Sequence, residues 1–575
     1  MSHDLSSLLL SESITHSLHT NKKPLFVLFL DARSAFDRTV REILVRKLYL
    51  HGTSDNKLLY FDNRLKFRKT FCEWDRRVLG PINDGQGVEQ GGVPSGDLYI
   101  VYNNEQLDSA QESGLGLDIH GIQIAGIGQA DDCLLVSDEL YQLKNLLELT
   151  MDYCRKYHVL LAPEKTKLLA FCLPKHRADV SYLELTNDLH INGSKINFAP
   201  TAEHVGIVRS SDNSNLPHIL DRISNHRRAL FGVLPAGLAR KHNSNPAASL
   251  RVQNVYALPV LLSGLGSLQL ANSETTALEK HYKTTLRCLM KLPDKCPDSV
   301  VYFLSGSIPI IAHIHKKKLN LFGMITRLPG NILHKLADKF LSTEPDSSKS
   351  WFIGIRNLCF LYNLPSPLQL LAKPLSKAAF KSKVTLTVID HWQDVLRKEA
   401  SPKTSLLFFN PFYMSLSTPH PMWTTCSSNP FETNKATVQA ALLSGRYKTD
   451  YLSRHWNHSN PHGFCLLCPG KFLFGTAQHF LLHCEALSEQ RSKLVHLWST
   501  HAEDDLHLHQ LLHQLLKSPQ EHLVQFLLDP SVVPQAVALC QQKSSLIDSL
   551  FYLTRTWCYG LHRRRLQLLG KFKFL

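Results

Sequence analysis

The chain has 575 residues, of which 43% are hydrophobic and 20% are charged. This length exceeds what a single hydrophobic core supports, so we expect several domains, and the composition excludes a disordered or collagen-like chain. The formal net charge of +15 at pH 7 suits a partner rich in phosphate groups, but charge alone identifies no function.

The sequence gives no sign of a membrane segment or a leader. Its most apolar stretch, residues 255–270, is interrupted by Pro259 and two glycines, and it is shorter than the roughly 20 apolar residues that span a bilayer. The N-terminus lacks the basic start and apolar run of a signal peptide. Thirteen cysteines, most of them scattered singly, favour a reducing compartment. We therefore expect no membrane partner.

Strand and helix patterns alternate at the start of the chain. Residues 24–30 form a short apolar run typical of a strand, and residues 38–50 then show the apolar spacing of a helix. Two later strand-like segments meet at Asp131 and Asp132. This arrangement predicts a hairpin whose tip presents two carboxylates.

The following segments continue the mixed pattern and then become helical. Asp138 is expected to cap a long helix, and residues 168–172 return as a strand. The dipeptide Asn192-Gly193 predicts a tight hairpin turn. Beyond it the apolar spacing indicates mainly helices, two of them rich in basic residues, over residues 218–230 and 273–292.

Asp31 follows the first predicted strand directly, and it carries the same carboxylate group as the two aspartates of the hairpin tip. Nucleotidyl transfer uses two divalent cations about 3.5–4 Å apart, and Mg²⁺ prefers carboxylate oxygens as ligands. If the two strands are neighbours in one sheet, Asp31, Asp131 and Asp132 converge and hold both ions. An Asp-Asp pair taken alone is usually a solvated turn.

Five short motifs follow one another along this part of the chain. They are FLDARSAFD at 29–37, GVEQGGVPSG at 87–96, ADD at 130–132, EKTK at 164–167 and HVG at 204–206. In this order they resemble motifs A, B, C and D and the primer-gripping loop of the reverse transcriptases of non-LTR (LINE-type) retrotransposons. Each motif is weak alone, but an ordered set is an improbable accident, so the chain is identified as similar to this family.

The resemblance implies a catalytic role for four residues. Asp31 and Asp131 would bind both Mg²⁺ ions, Asp132 would assist, and Lys165 would protonate the pyrophosphate leaving group. For Lys165 the alternative is an ordinary lysine of a solvated turn. The family usually has an aromatic residue where this chain has Gln129, a departure that removes no metal ligand.

Substrate contacts also follow from the resemblance. Phe36 would be the steric gate against a ribose 2′-hydroxyl, with a core aromatic at a strand–helix corner as the alternative. Gln90 and Gly91 lie in the glycine-rich turn that the family places against the templating base pair. After that turn the family usually has Pro-Leu-Ser, whereas residues 92–95 here are Gly-Val-Pro-Ser.

A second constellation lies near the C-terminus. Cys465, Cys468, His479 and Cys484 have the spacing of a tetrahedral structural Zn²⁺ site, with a free-thiol cluster as the alternative. His483 also has acceptable spacing, so Cys₂His₂ and Cys₃His sets both remain open on spacing alone. LINE proteins carry a distal Cys-Cys-His-Cys module, which favours Cys484 and implies a link to RNA binding and target-primed synthesis.

Two basic segments are further candidates for phosphate contact. One is the run at residues 313–318, HIHKKK, and the other is a terminal helix that combines basic with aromatic residues. In the helix these residues are Arg555, Trp557, Tyr559 and residues 563–565. A solvated helix face is the alternative for both. A helix over residues 438–451 is expected to precede the zinc motif.

We therefore expect an α+β fold: a reverse transcriptase palm, with a ferredoxin-like sheet and helices, followed by a mainly helical thumb and connector and a small zinc-binding module. The expected domains are the palm at 1–205, the thumb-like region at 206–300, the connector at 301–435, the zinc module at 436–500 and a basic helical tail at 501–575. Only thirty residues precede Asp31, so the resemblance implies an N-terminally truncated enzyme, with fingers mostly absent and no endonuclease.

The expected function is RNA-directed DNA polymerisation by a non-LTR retrotransposon enzyme, with an RNA template, a DNA primer or target and dNTPs as partners. Mg²⁺ is the expected catalytic cofactor and Zn²⁺ the structural one. The alternatives are a catalytically inactive remnant or a domesticated nucleic-acid-binding protein, and a maturase-type or telomerase-like relative, which generally lacks the zinc module. Access to chromosomal DNA implies a nuclear as well as a cytoplasmic location.

Overall fold

The computed structural model describes residues 3–82, 85–233, 245–426, 429–454, 458–503 and 505–570. The chain divides into two compact units. The first comprises residues 1–221, 263–274 and 315–384, and the second comprises residues 222–262, 275–314 and 385–575.

The strands lie in the first unit. They are β1 (Leu25–Leu30), β2 (Thr70–Trp74), β3 (Arg77–Ile82), β4 (Leu117–Ile119), β5 (Ile122–Ile124), β6 (Gly126–Gln129), β7 (Asp132–Ser137), β8 (Lys167–Phe171), β9 (His190–Ile191), β10 (Ser194–Lys195), β11 (Thr201–His204) and β12 (Ile207–Ser210). A four-stranded antiparallel sheet has the order β6-β7-β1-β8, and the other strands pair as hairpins.

Helices account for most of the remaining described residues. Up to residue 233 they are α1 (His3–Thr15), α2 (Arg41–Leu50), α3 (Asp55–Lys66), α4 (Ser95–Glu112), α5 (Leu140–Tyr157), α6 (Arg177–Thr186) and α7 (Leu216–Val233). From residue 246 to 400 they are α8 (Pro246–Val252), α9 (Leu258–Leu261), α10 (Asn272–Leu289), α11 (Asp298–Ser305), α12 (Ile310–Ile325), α13 (Ile332–Thr343), α14 (Trp351–Leu361), α15 (Pro367–Ala372) and α16 (Lys377–Ala400). The remainder are α17 (Pro421–Thr424), α18 (Pro430–Leu443), α19 (Asp450–Ser453), α20 (Ser488–His501), α21 (Leu506–Leu516), α22 (Gln520–Leu528), α23 (Pro534–Gln542) and α24 (Leu546–Leu568).

The core of the first unit is built on the four-stranded sheet. All six residues of β1 are buried, as expected for a central strand that is covered on both faces. Helix α5 packs on the sheet through Leu143, Leu146 and Leu147, which lie on one helical face. Helix α1 is buried on nearly every side, so it is an internal helix of this unit.

Most predicted elements of the mixed region are confirmed. The strand at 24–30, the helix that precedes Gly52 and the strand at 168–172 correspond to β1, α2 and β8. The Asp-Asp hairpin is the β6–β7 pair. Asn192 and Gly193 have positive φ angles of 51° and 82°, as a type I′ turn requires.

Two local predictions are wrong. Asp138 does not cap α5: the N-cap position is held by Glu139, without a side-chain capping bond, and the Asp138 carboxylate accepts a 3.1 Å hydrogen bond from Lys23 Nζ. The predicted helix over residues 438–451 ends at Leu443, where α18 stops. Gly445 follows with a φ angle of 63°, and an added Cβ there would lie 2.1 Å from the Ser405 carbonyl oxygen. The left-handed backbone at Gly445 cannot continue the helix, and the space there admits only glycine.

In the second unit, helices pack around α24. Helices α18, α20 and α22 contact it, and Trp498 and Trp557 are buried between them with ring centroids 4.8 Å apart. None of the helices in the described part of the chain has the length and apolarity needed to cross a bilayer.

Candidate active site and metal centre

Three aspartates lie at one end of the two central strands, β1 and β7, of the four-stranded sheet. Strands β1 and β7 are antiparallel with Leu30 opposite Cys133, so the next position in register places Asp31 opposite Asp132. Asp131 lies in the two-residue turn between β6 and β7, next to Ala130, which has a φ angle of 55°. The sheet thus brings Asp31 together with Asp131 and Asp132, which follow it by 100 and 101 residues in the sequence.

Asp31 is held by its backbone and leaves a carboxylate oxygen available. Its N–H donates to Thr166 Oγ1 at 3.4 Å, and its carbonyl oxygen accepts a 2.8 Å bond from the Ala162 N–H. The Oδ2 atom is shielded from solvent and accepts no hydrogen bond. Lys165 Nζ lies 3.6 Å from it as an ion pair. An oxygen with this environment suits a hard cation such as Mg²⁺.

The electrostatics of the hairpin tip also favour a cation. Burial raises the pKa of the Asp132 carboxyl, and the neighbouring Asp131 and then Asp31 raise it further. His3 and a hydrogen bond from the Val205 N–H oppose this increase. Because like charges crowd the site, a bound divalent cation would stabilise the ionised carboxylates.

The three aspartates are not packed as tightly as a single-ion site. Within the described residues, compact sets of three or more possible ligands, with all ligand atoms within 4.8 Å of one another, are the Cys465 set and a set of His16, His120 and Glu344. Asp31, Asp131 and Asp132 are not among these sets, so their oxygens do not already have the spacing of ligands around one ion.

The glycine-rich turn is hydrogen-bonded to the segment that follows Asp31. The Gly87 and Val88 N–H groups donate to the Thr39 and Phe36 carbonyl oxygens. Gly87 has a φ angle of 86°, and an added Cβ would lie 2.7 Å from the Asp37 carbonyl oxygen, so only glycine fits.

The next residues of the turn point toward the same segment. Gln90 Nε2 donates to both carboxylate oxygens of Asp37 at 3.2 Å, and Gly91 has a φ angle of 82°. Motifs A and B are therefore in direct contact.

Phe36 is partly buried against α4. Its ring centroid lies 5.1 Å from that of Tyr99, with an interplanar angle of 33°. It thus has both an aromatic packing partner and a remaining exposed surface, and the two alternatives for this residue stay open. Lys165, by contrast, is 67% exposed at the side chain, and its ammonium group lies in contact with solvent beside Asp31.

The four cysteine and histidine ligands converge in the second unit. The Sγ atoms of Cys465 and Cys468 lie 3.9 and 3.7 Å from Cys484 Sγ, and Cys468 Sγ lies 3.7 Å from His479 Nε2. A tetrahedral Zn²⁺ ion with Zn–S bonds of about 2.3 Å has sulfur–sulfur edges of about 3.8 Å. All four residues are buried, and their donor atoms already have the spacing of a zinc tetrahedron.

The neighbouring residue His483 lies outside this set. It is exposed, and its Nε2 atom contacts Gln520 Oε1 at 3.0 Å. A hydrogen bond between the thiols lowers the pKa of Cys465, and the same contact raises the pKa of Cys484. Three thiolates at this spacing repel one another, which a divalent cation would offset.

Two of the four arginines of α24, Arg555 and Arg565, are internal, whereas Arg563 is exposed and Arg564 is partly exposed. Arg555 is ion-paired with Glu432 at 3.0 Å, and Arg565 with Asp450 at 2.8 Å, with little side-chain exposure in either pair. Trp557 is 2% exposed. The hypothesis that these three residues contact nucleic acid is therefore wrong, because the helix uses them to pack against its own unit. Arg563 remains at the surface.

The lysine run at 316–318 is also partly internal. Lys318 is 9% exposed, and its Nζ atom donates to Gln269 Oε1 at 2.8 Å. Burial lowers the pKa of Lys318 to about 8 and also lowers the pKa values of Lys316 and Lys317. A solvated basic face does not describe this segment.

Sequence reasoning missed Arg41 and the contact that the predicted HVG loop makes with the hairpin tip. Arg41 donates through Nε and Nη2 to the Gly87 and Gln86 carbonyl oxygens at 2.9 Å and fixes the glycine-rich turn. The Val205 N–H reaches the Asp132 carboxylate. Backbone contacts of this kind leave no pattern in the sequence.

Comparisons with known proteins agree with this arrangement. Residues 1–198 match the family described as reverse transcriptase (RNA-dependent DNA polymerase). No curated protein matches the chain significantly. A solved structure of telomerase from Candida albicans, in complex with a TWJ fragment of telomeric RNA, is 12% identical with a TM-score of 0.27. That match covers 62% of this chain and 53% of the telomerase chain, so this chain spans about half the telomerase length, and the likeness supports no further conclusion. Residues 1–198 therefore carry the reverse transcriptase fold and are similar in sequence to the reverse transcriptase family.

Proposed function

We propose that the chain is an RNA-directed DNA polymerase of the non-LTR (LINE-type) retrotransposon class. It would add deoxynucleotides to the 3′-end of a DNA primer on an RNA template. The observation that carries the proposal is the convergence of Asp31, Asp131 and Asp132 at the ends of adjacent strands, within the segment that matches the reverse transcriptase family.

The carboxylates would hold the reacting groups in place. Two Mg²⁺ ions, when bound, supply activation of the primer 3′-hydroxyl and neutralise the triphosphate. Asp31 and Asp131 would each contribute oxygens toward both ions, with Asp132 assisting from the start of β7. The Asp31 Oδ2 atom, which accepts no hydrogen bond, would be a metal ligand.

Other residues would position the substrate and the departing group. Lys165 lies beside Asp31 and is exposed, so its ammonium group can turn from the carboxylate to the pyrophosphate and donate a proton there. Phe36, backed by Tyr99, would exclude a ribose 2′-hydroxyl by contact. Gln90 and Gly91 would lie against the templating base pair.

The Cys465, Cys468, His479 and Cys484 set would hold a structural Zn²⁺ ion. The spacing of the donor atoms supports this assignment and favours Cys484 over His483 as the fourth ligand. We propose that this module contributes to RNA binding. Synthesis at chromosomal DNA would give the protein a nuclear as well as a cytoplasmic location.

Primer extension tests the polymerase assignment. The purified chain is incubated with a DNA primer on an RNA template, dNTPs and Mg²⁺, beside Asp131→Asn and the control Asp152→Asn. Asp152 is an exposed aspartate of α5 that pairs with Arg155, so its variant makes the same chemical change away from the site. We expect extension by the wild type and the control and its loss in Asp131→Asn.

The other outcomes separate the alternatives. If no protein extends the primer but the wild type binds RNA–DNA hybrid, measured by fluorescence anisotropy, the inactive remnant or domesticated binding protein becomes the better description. If extension persists in Asp131→Asn at the wild-type rate, the carboxylate assignment is wrong.

A further inference from the structure

We propose that His16, His120 and Glu344 form a second transition-metal site, in the first unit, with Zn²⁺ as the ion class. Their ligand atoms all lie within 4.8 Å of one another. Neither the polymerase assignment nor the cysteine module uses these residues, and the proposal does not depend on either.

The spacing of the three side chains is close to that of a bound ion. His120 Nε2 and Glu344 Oε1 are 3.2 Å apart. A tetrahedral ion with bonds of about 2.05 Å to nitrogen and oxygen has ligand–ligand edges of about 3.3 Å. One edge is therefore already present, and His16 needs to approach by no more than about 1.5 Å, which small side-chain rotations provide.

The ring nitrogens of this cluster are unsatisfied in a buried setting. His16 is 5% exposed, and its Nδ1 atom is shielded from solvent without a hydrogen-bond partner. His120 Nε2 is likewise shielded and makes no hydrogen bond of normal geometry, although the Glu344 carboxylate lies 3.2 Å away. Buried polar atoms without partners are uncommon and costly, and a metal ion would satisfy both nitrogens at once.

The three side chains come from separate parts of the unit, and both imidazoles pack against one aromatic ring. His16 follows α1 directly, His120 lies in the turn between β4 and β5, and Glu344 follows the last residue of α13. The Phe340 ring packs edge-on against both imidazoles, at centroid distances of 6.1 and 5.1 Å. An ion here would join three segments that are distant in sequence.

The ligand types indicate the ion and its coordination. Two imidazoles and one carboxylate form a set that binds Zn²⁺ and leaves a fourth position open. Both histidines line a surface cleft together with Asp118 and Gln123. A water molecule or the Asp118 carboxylate can therefore complete the shell. The contrasting description is a plain histidine–glutamate hydrogen bond packed around Phe340.

Metal analysis of the full chain distinguishes these descriptions. The protein is equilibrated with Zn²⁺, passed through a desalting column and measured by plasma mass spectrometry, as wild type, His120→Asn, Glu344→Gln and Cys468→Ser. The control is His19→Gln, which removes a neighbouring histidine that lies outside the cluster. We expect two zinc ions in the wild type and the control and one in each of the other variants.

Cobalt spectra assign each ion to its site. With Co²⁺, the wild type should show an intense thiolate charge-transfer band, which Cys468→Ser loses and Glu344→Gln keeps. It should also show the weaker visible bands of a nitrogen–oxygen site, which Glu344→Gln loses and Cys468→Ser keeps. Glu344→Gln has nearly the same shape as the wild type, and its circular dichroism spectrum checks folding. The proposal is overturned if folded Glu344→Gln and His120→Asn bind as much zinc as the wild type.

Discussion

The buried carboxylate of Glu12 makes the stability of the first unit depend on pH. Glu12 lies on the internal helix α1 and is 1% exposed. Its Oε2 atom accepts from Ser350 Oγ at 2.5 Å, and its Oε1 atom accepts from the Trp351 N–H at 2.8 Å, so it caps the start of α14. Burial nevertheless dominates and raises the pKa of Glu12 to about 7.

The sign of the effect follows from proton binding. Between the ordinary pKa of 4.5 and about 7, the folded protein holds a proton on Glu12 that the unfolded chain has released. The free energy of unfolding therefore falls as the pH rises through this interval. A difference of this size corresponds to about 3 kcal/mol in total. Lys318, with a pKa of about 8, stays protonated in both states over the same interval and adds nothing to the slope.

The variant Glu12→Gln isolates this contribution. Glutamine keeps the shape and can still accept from the Trp351 N–H, but it does not titrate. Urea unfolding is measured from pH 5 to pH 7.5 for the wild type, Glu12→Gln and the exposed control Glu148→Gln. We expect the wild type to lose about 2.5 kcal/mol of that total relative to Glu12→Gln between pH 5 and pH 7.5, and the control to follow the wild type. A difference between wild type and Glu12→Gln that stays constant over this range would refute a protonated Glu12 in the fold.

Three further predictions concern the metal module, α24 and the substrate gate. Cys484→Ser should weaken zinc binding more than about 100-fold, whereas His483→Gln should leave it unchanged, as measured by chelator competition. Arg565→Met should destabilise the second unit by about 3–5 kcal/mol in urea unfolding, because it leaves Asp450 buried and unpaired; the salt dependence of RNA binding should not change. Phe36→Val should raise the incorporation of ribonucleotides relative to deoxynucleotides on the order of 10-fold in single-nucleotide extension, and an unchanged ratio would support the core-aromatic alternative.

The cysteine–histidine cluster and the hairpins could be predicted because the information that specifies them is local. Cys465 and Cys468 share one turn, and Asn192-Gly193 fixes a hairpin through its own backbone preferences. The choice between His483 and Cys484 could not be made from the neighbouring sequence alone. It depends on the helical turn at 479–483, which directs His483 outward to Gln520.

Charged residues were harder to interpret because their partners lie far away in sequence. Arg565 and Asp450 are 115 residues apart, and Arg555 and Glu432 are 123 apart. A cluster of arginines in sequence indicates a basic surface only if no acidic partner faces it in the fold. The internal helix α1 presents a related difficulty, because a helix that is buried all round lacks the one-sided apolar pattern that identifies a surface helix.

The aspartate cluster shows why motif order predicted a site that strand patterns alone could not place. A one-residue slip of β1 against β7 would turn the side chain of Asp31 to the other face of the sheet. Strand β1 is apolar on both faces, so alternation of polar and apolar residues does not fix its register. Where β1 ends, the chain contacts the segment that precedes β8: Ala32 bridges to Leu161, and the Arg33 N–H donates to the Leu160 carbonyl oxygen at 2.7 Å. These contacts hold the backbone just after Asp31, so a substitution that removes the Arg33 N–H, such as Arg33→Pro, should impair the site while leaving the three aspartates intact.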